Sequence, residues 1–271
     1  MTELSAMYII IGGAIAAVLA VPAWRFGALT KSGAVGMVII GTIAFGLGGI
    51  VSAIPLVYFF ISSSLLSKMK TAAKTAALDT VGKTGPRDLI QVFANGGVGA
   101  LCLLAGLFTT DHIWFYGYLA SISEACADTW ATEIGTLAKH RPVSIVTCRQ
   151  VAPGQSGGVS TLGTLAAFAG AITTVATAYA GMAAINPTYH GNPSIYIIVV
   201  IAGFIGSLVD SILGATVQAQ YRCSITGKIT EKIESGGQPN PLIRGFRWIG
   251  NDVVNTAGTL IAALIALLFL I

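Results

Sequence analysis

Residues 113–138 read IWFYGYLASISEACADTWATEIGTLA, a stretch long enough to cross a bilayer and free of charge except at Glu124, Asp128 and Glu133. A bilayer core takes about 20 apolar residues per helix. An acid inside such a helix costs at least about 2.5 kcal/mol on insertion scales, so it defaults to a functional hypothesis. Glu124, Asp128 and Thr132 recur at i, i+4 and i+8 and share one helical face, with Glu133 turned partly away. The stretch is a membrane helix with a polar stripe.

The composition agrees. Of 271 residues, 54% are hydrophobic and only 10% charged, against about 25% charged in soluble chains. Too few charges remain to solvate a surface of that size, and lipid must replace them. Span-length apolar stretches lie near 6–24, 33–48, 50–66, 90–108, 113–138, 160–185, 193–220 and 250–271. The division of 33–66 rests on Gly46, Gly48 and Gly49 as a turn; one helix there would leave seven spans instead of eight. The expected fold is an all-α polytopic transmembrane bundle with a polar cavity facing the cytoplasm, one domain over 1–271, without linker or internal repeat. The opening stretch lacks a positive n-region and reads as the first span, not a cleaved signal.

All fifteen Lys and Arg residues fall in alternate connections: 25–31, 68–87, 139–149 and 222–247. The positive-inside rule then puts both termini outside and four basic connections in the cytoplasm. The net charge of +4 is accounted for by orientation, and no nucleic-acid partner is implied. Cys102, Cys126, Cys148 and Cys223 show no CxxC spacing and read as free thiols.

Further buried polar groups join the stripe. Asp210 lies in GSLVDSILGAT, Asn95 in FANGG, and the last span opens on Asn251, Asp252 and Asn255. At 1.5 Å per residue, Asp128 and Asp210 each lie about 15 Å inside the cytoplasmic ends of the spans drawn above. Clustered carboxylates repel unless a proton or cation neutralises them. Oxygen ligands without His or Cys favour a hard ion, and magnesium bridging carboxylates to substrate phosphates is its usual mode. Glu124, Asp128, Glu133, Asp210 and Asp252 are the candidate metal ligands. A proton or sodium relay, or simple helix glue, uses the same residues.

The connection RQVAPGQSGGVSTLGTLAAF (149–168) enters the sixth span through Gly154, Ser156, Gly157, Gly158, Ser160 and Thr161. Free N–H groups and the positive end of a helix dipole suit an anion there. The run is not a Walker A motif, and on its own it also fits a flexible loop with an N-cap. Lys83 and Arg87 in VGKTGPRDLIQ, and Arg244 in PNPLIRGFRWIG, are topology and headgroup anchors or phosphate ligands.

ANGG at 94–97, ADTWATEIG at 127–135, PGQSGGVSTLGT at 153–164, GSLVDSILGAT at 206–216 and NDVVN at 251–255 together resemble one integral-membrane family. It contains plant and cyanobacterial phytyl-phosphate kinase and the animal transmembrane protein 19. The resemblance implies phosphorylation of an isoprenyl monophosphate, such as phytyl phosphate, to the diphosphate by a nucleoside triphosphate, CTP favoured, in a step that feeds tocopherol synthesis. Carried over by motif, Asn95, Asp128, Glu133, the 153–161 loop, Asp210, Asn251, Asp252 and Asn255 would form the site. Asp128 and Asp210 would hold magnesium, the loop the donor phosphates, and Lys83, Arg87 or Arg244 the acceptor phosphate. The alternatives are an ion-coupled secondary transporter and a lipid-alcohol kinase or cytidylyltransferase.

Overall fold

The computed structural model describes residues 6–69, 85–109, 112–186, 188 and 191–271. Among them run eight α-helices: α1 (Ala6–Arg25), α2 (Lys31–Leu47), α3 (Gly49–Lys68), α4 (Leu89–Ala105), α5 (Ile113–Gly135), α6 (Thr161–Ile185), α7 (Pro193–Thr216) and α8 (Asn251–Leu270). Each answers to one of the eight apolar stretches. Five of them, α1, α3, α6, α7 and α8, are long and apolar enough to cross a membrane by length and composition. Helices α2 and α4 have 17 residues each, and α5 has the length but carries the three acids.

Local chemistry sets the helix starts. The Thr30 hydroxyl accepts from Gly33 N at 3.0 Å and caps α2. Asp88 and Gln91 form a reciprocal capping box at the start of α4, at 2.9 and 3.0 Å. Ser160 caps α6 and Asn192 caps α7. Between α2 and α3 the chain turns at Gly48 and at Gly49, whose φ of +67° is open to glycine without strain, so the 33–66 stretch is two helices.

Helix α5 is the axis of the bundle. Every residue from Gly117 to Ala127 is buried, and its Ala, Ser and Gly positions let neighbouring backbones approach on all sides. A Cβ on Gly170 would stand 3.2 Å from Ala127 Cα, which shows how closely α6 lies against α5. The outward faces are apolar: Val18, Leu65, Leu101, Leu165 and Leu268 are 63–72% exposed. Such a surface needs lipid around it.

The basic connections meet at one end of the bundle. Lys68 donates to the Phe26 carbonyl, Arg87 N to the Ala28 carbonyl, Ser67 to Glu133, and Ala219 N to the Ile249 carbonyl. This end carries small sheets where the sequence promised only loops. Strands β1 (Val143–Ser144) and β2 (Gly158–Val159) pair antiparallel; β3 (Gln220–Arg222) lies between β4 (Ile229–Thr230) and β7 (Leu242–Arg244); β5 (Glu234–Ser235) pairs with β6 (Gln238–Pro239). All four cysteines are free thiols.

Candidate functional site

A polar cleft of about 160 Å³ opens between the strands and the ends of α5, α6 and α7. Its walls come from several parts of the chain, Glu231 and the first turns of α6 included. Asp128 and Thr132 come from α5, and Gly154, Ser156, Gly157, Gly158 and Ser160 from the 154–160 loop. Ser207, Asp210, Ser211 and Gln218 line it from α7 and just beyond, and Asn251 closes it from the first residue of α8. The carboxyl groups of Asp128 and Asp210 lie within hydrogen-bonding reach of each other. Asp210 is buried and Asp128 half-buried.

The two acids are nearer the basic end than the sequence implied. Helix α5 stops at Gly135 and α7 at Thr216, short of the ends drawn at 138 and 220. Asp128 is therefore about 10 Å and Asp210 about 9 Å inside their helices. On the α7 side residues 217–222, with two glutamines and an arginine among them, leave the helix and lead into β3, and on the α5 side the helix ends at Gly135 with Thr136 as its C-cap. That places both carboxylates within reach of a polar ligand entering from the basic end.

The 154–160 loop is ordered. Gly154 and Gly157 both adopt φ +78°, where a side chain is strained, and a Cβ on Gly157 would run into Ala215 of α7. Gly157 O accepts from Ile145 N at 2.9 Å, and Gly158 N donates to Gln155 O at 3.0 Å. Ser156 is hydrogen-bonded to Glu231, and the Ser160 hydroxyl accepts from Gly163 N at 3.1 Å. Loop and N-cap are thus both present, with the loop pressed backbone-first against α7 beside the acid pair.

The other expected residues divide. Asn255 sits one turn along α8 from Asn251, between Asn95 and Asp210. In one setting its amide nitrogen is 3.5 Å from Asn95 Oδ1; turned over, it donates to Asp210 Oδ2 at 3.2 Å and to Asn251 O at 3.0 Å. Asn95 is anchored by donation to Gln91 O at 2.9 Å. Glu124 lies one turn deeper than Asp128, 1% exposed, wedged against Gly206 and Gly258, with no partner on either carboxyl oxygen among the described residues.

Several residues fall away from the cleft. Glu133 turns to α3 and accepts from Ser67 at 2.5 Å. Asp252, in the first turn of α8, and Thr161 are not among the lining residues. The Arg244 Nη2 donates to Gly214 O at 2.7 Å, so this arginine braces the end of α7; burial lowers its pKa, and nearby Glu231 opposes the shift. Lys83 lies outside the described residues. The structure does not bring the five expected metal-binding acids together: among the described residues no three His, Cys, Asp or Glu side chains converge to hold a metal by themselves.

A hard cation fits the site in another way. Magnesium is commonly held by one or two carboxylates, with substrate phosphates and water supplying the rest. The facing Asp128 and Asp210 provide that pair, beside a glycine-rich loop suited to phosphate. One charged lining residue escaped sequence reasoning: Glu231 sits in a connection of alternating Lys and Glu with no local pattern to distinguish it from a solvated turn. Gln218, seen in the sequence only as a polar residue near a span end, is buried with its Nε2 unpartnered among the described residues.

Comparison with known proteins agrees with the geometry. Residues 14–263 match the family described as integral membrane protein DUF92. Protein PGR of Arabidopsis thaliana is 29% identical over 92% of this chain and 91% of its own length. An uncharacterized membrane protein of Methanocaldococcus jannaschii is 31% identical over 73% of this chain and 78% of its own. Protein VTE6, chloroplastic, of Arabidopsis thaliana is 24% identical over 89% of this chain and 65% of its own. No solved structure matches significantly. A match over most of the length, on a helical bundle with apolar outer faces, places this chain in the DUF92 family of integral membrane proteins.

Proposed function

We propose that this protein is a phosphotransferase that carries the γ-phosphoryl group of a nucleoside triphosphate, CTP favoured, to an isoprenyl monophosphate such as phytyl phosphate. The observation behind this reading is the meeting of the Asp128–Asp210 pair and the 154–160 loop in one cleft at the basic end of the bundle. A phosphoryl transfer needs alignment and charge neutralisation far more than covalent help. The motif resemblance to phytyl-phosphate kinase supplies the substrate class.

In this mechanism the loop and the N-terminus of α6 receive the donor phosphates. Asp128 and Asp210 would hold magnesium, which when bound neutralises the charge of the transferring group. An oxygen of the acceptor phosphate attacks the γ-phosphorus, and the bond to the β–γ bridging oxygen breaks. The products are the isoprenyl diphosphate and the nucleoside diphosphate. The acceptor is already ionised, so no side chain has to remove a proton.

The test is incubation of the purified protein with magnesium, phytyl phosphate and CTP, ATP, UTP or GTP in parallel, with mass spectrometry of the lipid. Prenyl diphosphate formed with one preferred donor is the expected result. A CDP-lipid with pyrophosphate would make the protein a cytidylyltransferase, and no lipid product from folded protein would remove the kinase reading. One observation favours ion coupling instead: the buried, unpartnered carboxyl of Glu124. Substrate-driven proton or sodium flux in proteoliposomes, abolished by Glu124→Gln, would support it.

A further inference from the structure

Helices α1–α4 enclose a second cavity on the side of the bundle away from the loop. Its lining is apolar, with Leu19, Met37, Ile40, Phe45, Leu56 and Phe60 prominent; among the described residues Arg87 and Asn95 are its only polar members and no acid lines it. Its volume is about 60 Å³, and its lining extends from Arg87 at the basic end to Phe45, fourteen residues or about 20 Å along α2 from Lys31. An apolar tunnel of that shape with a cation at its mouth suits a lipid tail that ends in an anion.

Arg87 is held for such a role. Its N–H donates to Ala28 O and its carbonyl accepts from Thr30 N, both at 3.0 Å. Gly33 makes the approach possible, because a Cβ there would strike the Arg87 carbonyl. The capping box of Asp88 and Gln91 fixes the next turn. The guanidinium lies 5.7 Å from the centre of the Phe59 ring. Burial lowers its pKa from the usual arginine value, opposed by the Glu133 carboxylate, yet arginine stays protonated. The result is a partly desolvated cation at the end of an apolar tunnel, with the fork geometry that matches phosphate oxygens.

Asn95 connects this cavity to the cleft. It lines the tunnel and faces Asn255, whose amide nitrogen reaches Asn95 in one setting and, turned over, Asp210 in the other. We propose that the α1–α4 cavity is the acceptor site: the tail of an isoprenyl phosphate lies along it, and its phosphate rests between Arg87 and Asn95, one amide away from the Asp128–Asp210 pair. This assignment rests on the kinase reading above and goes beyond it, since it selects Arg87 from three candidate cations and assigns the tail to one set of helices. Chain length would be set by the residues at the far end, Phe45 and Leu56 among them.

The experiment is photolabelling with a diazirine-bearing geranylgeranyl phosphate on the full-length protein in nanodiscs, with label positions read by mass spectrometry. Label should fall on α1–α4, around Phe45 and Leu56, and phytyl phosphate should compete for it where phytol does not. Arg87→Met should cost phytyl phosphate about tenfold or more in potency and bring it level with phytol. Val57→Trp, which narrows the tunnel part way along, should raise KM for the geranylgeranyl acceptor and leave that for a geranyl acceptor unchanged. Label on α6–α8, label spread over all lipid-facing surfaces, or equal competition by the alcohol would overturn the assignment. If Val57→Trp fails to fold, the labelling of the unaltered protein decides alone. Phosphate-selective label in α1–α4 without diphosphate from any nucleotide would keep the site and remove the kinase reading. Diphosphate formation with the label elsewhere would do the reverse.

Discussion

The two cavities of this bundle are built from the same kinds of helix and behave as opposite solvents. In the α5–α8 half, glycines bring backbones together: a Cβ on Gly203 would stand 2.8 Å from Ser123 Cβ, and one on Gly206 would stand 2.7 Å from Glu124 Cγ. That closeness leaves little room except in the cleft beside the 154–160 loop, and there the walls are carboxylate, amide, hydroxyl and backbone. In the α1–α4 half, Met37, Phe45, Phe59 and Phe60 leave a space with almost no polar surface. Glycines bring backbones together in this half too, a Cβ on Gly41 standing 2.7 Å from Ala16 Cβ, so the difference lies in whether the side chains that face the space are polar. Under the proposed reaction the contrast would let one bundle hold two ligands of opposite character. Between the two cavities stands Asn255, whose amide nitrogen reaches Asn95 in one setting and Asp210 in the other.

The largest expected effect breaks the cleft and spares the tunnel. Asp128→Asn or Asp210→Asn should lower kcat by about a hundredfold or more, as expected for loss of a group that neutralises a phosphoryl-transfer transition state. Photolabelling of α1–α4 should persist in both variants. Near wild-type turnover with unchanged magnesium dependence would remove these acids from the mechanism.

Gly157→Val is next. A side chain there must displace either the loop or Ala215, and φ +78° disfavours any β-branched residue. Nucleotide binding should weaken by about tenfold or more while the helical circular dichroism stays that of the wild type, since the loop lies outside the bundle core. Unchanged binding of a fluorescent nucleotide would return the loop to a purely structural part.

The smallest effect concerns the connection. Asn255→Ala should reduce kcat by about tenfold while KM for the nucleotide and for the lipid changes little, because the residue aligns two bound ligands without holding either. Paired with Asn95→Ala, which also removes a proposed contact to the acceptor phosphate, the double variant should lose no more than Asn95→Ala alone, the non-additivity expected of residues acting as one unit. Additive losses would separate the two amides.

Much of this was legible in the chain. The alternation of basic and apolar segments determined the number and limits of the helices to within a few residues, because hydrophobic length is a local property and the bilayer reads it locally. The spacing of Glu124 and Asp128, and the run GQSGGVS before α6, exposed the acids and the loop for the same reason. Only the tertiary structure decided their partners. Glu133, one residue beyond the stripe, turns to α3, and Arg244 spends a guanidinium nitrogen on the end of α7. Glu231 reaches Ser156 from a stretch whose charge pattern reads as solvated. The tunnel had no signature at all, since a Phe facing lipid and a Phe facing a cavity are the same letter at the same hydropathy. Which of the two it becomes depends on how closely neighbouring helices approach, and that distance is set by residues far apart in the chain.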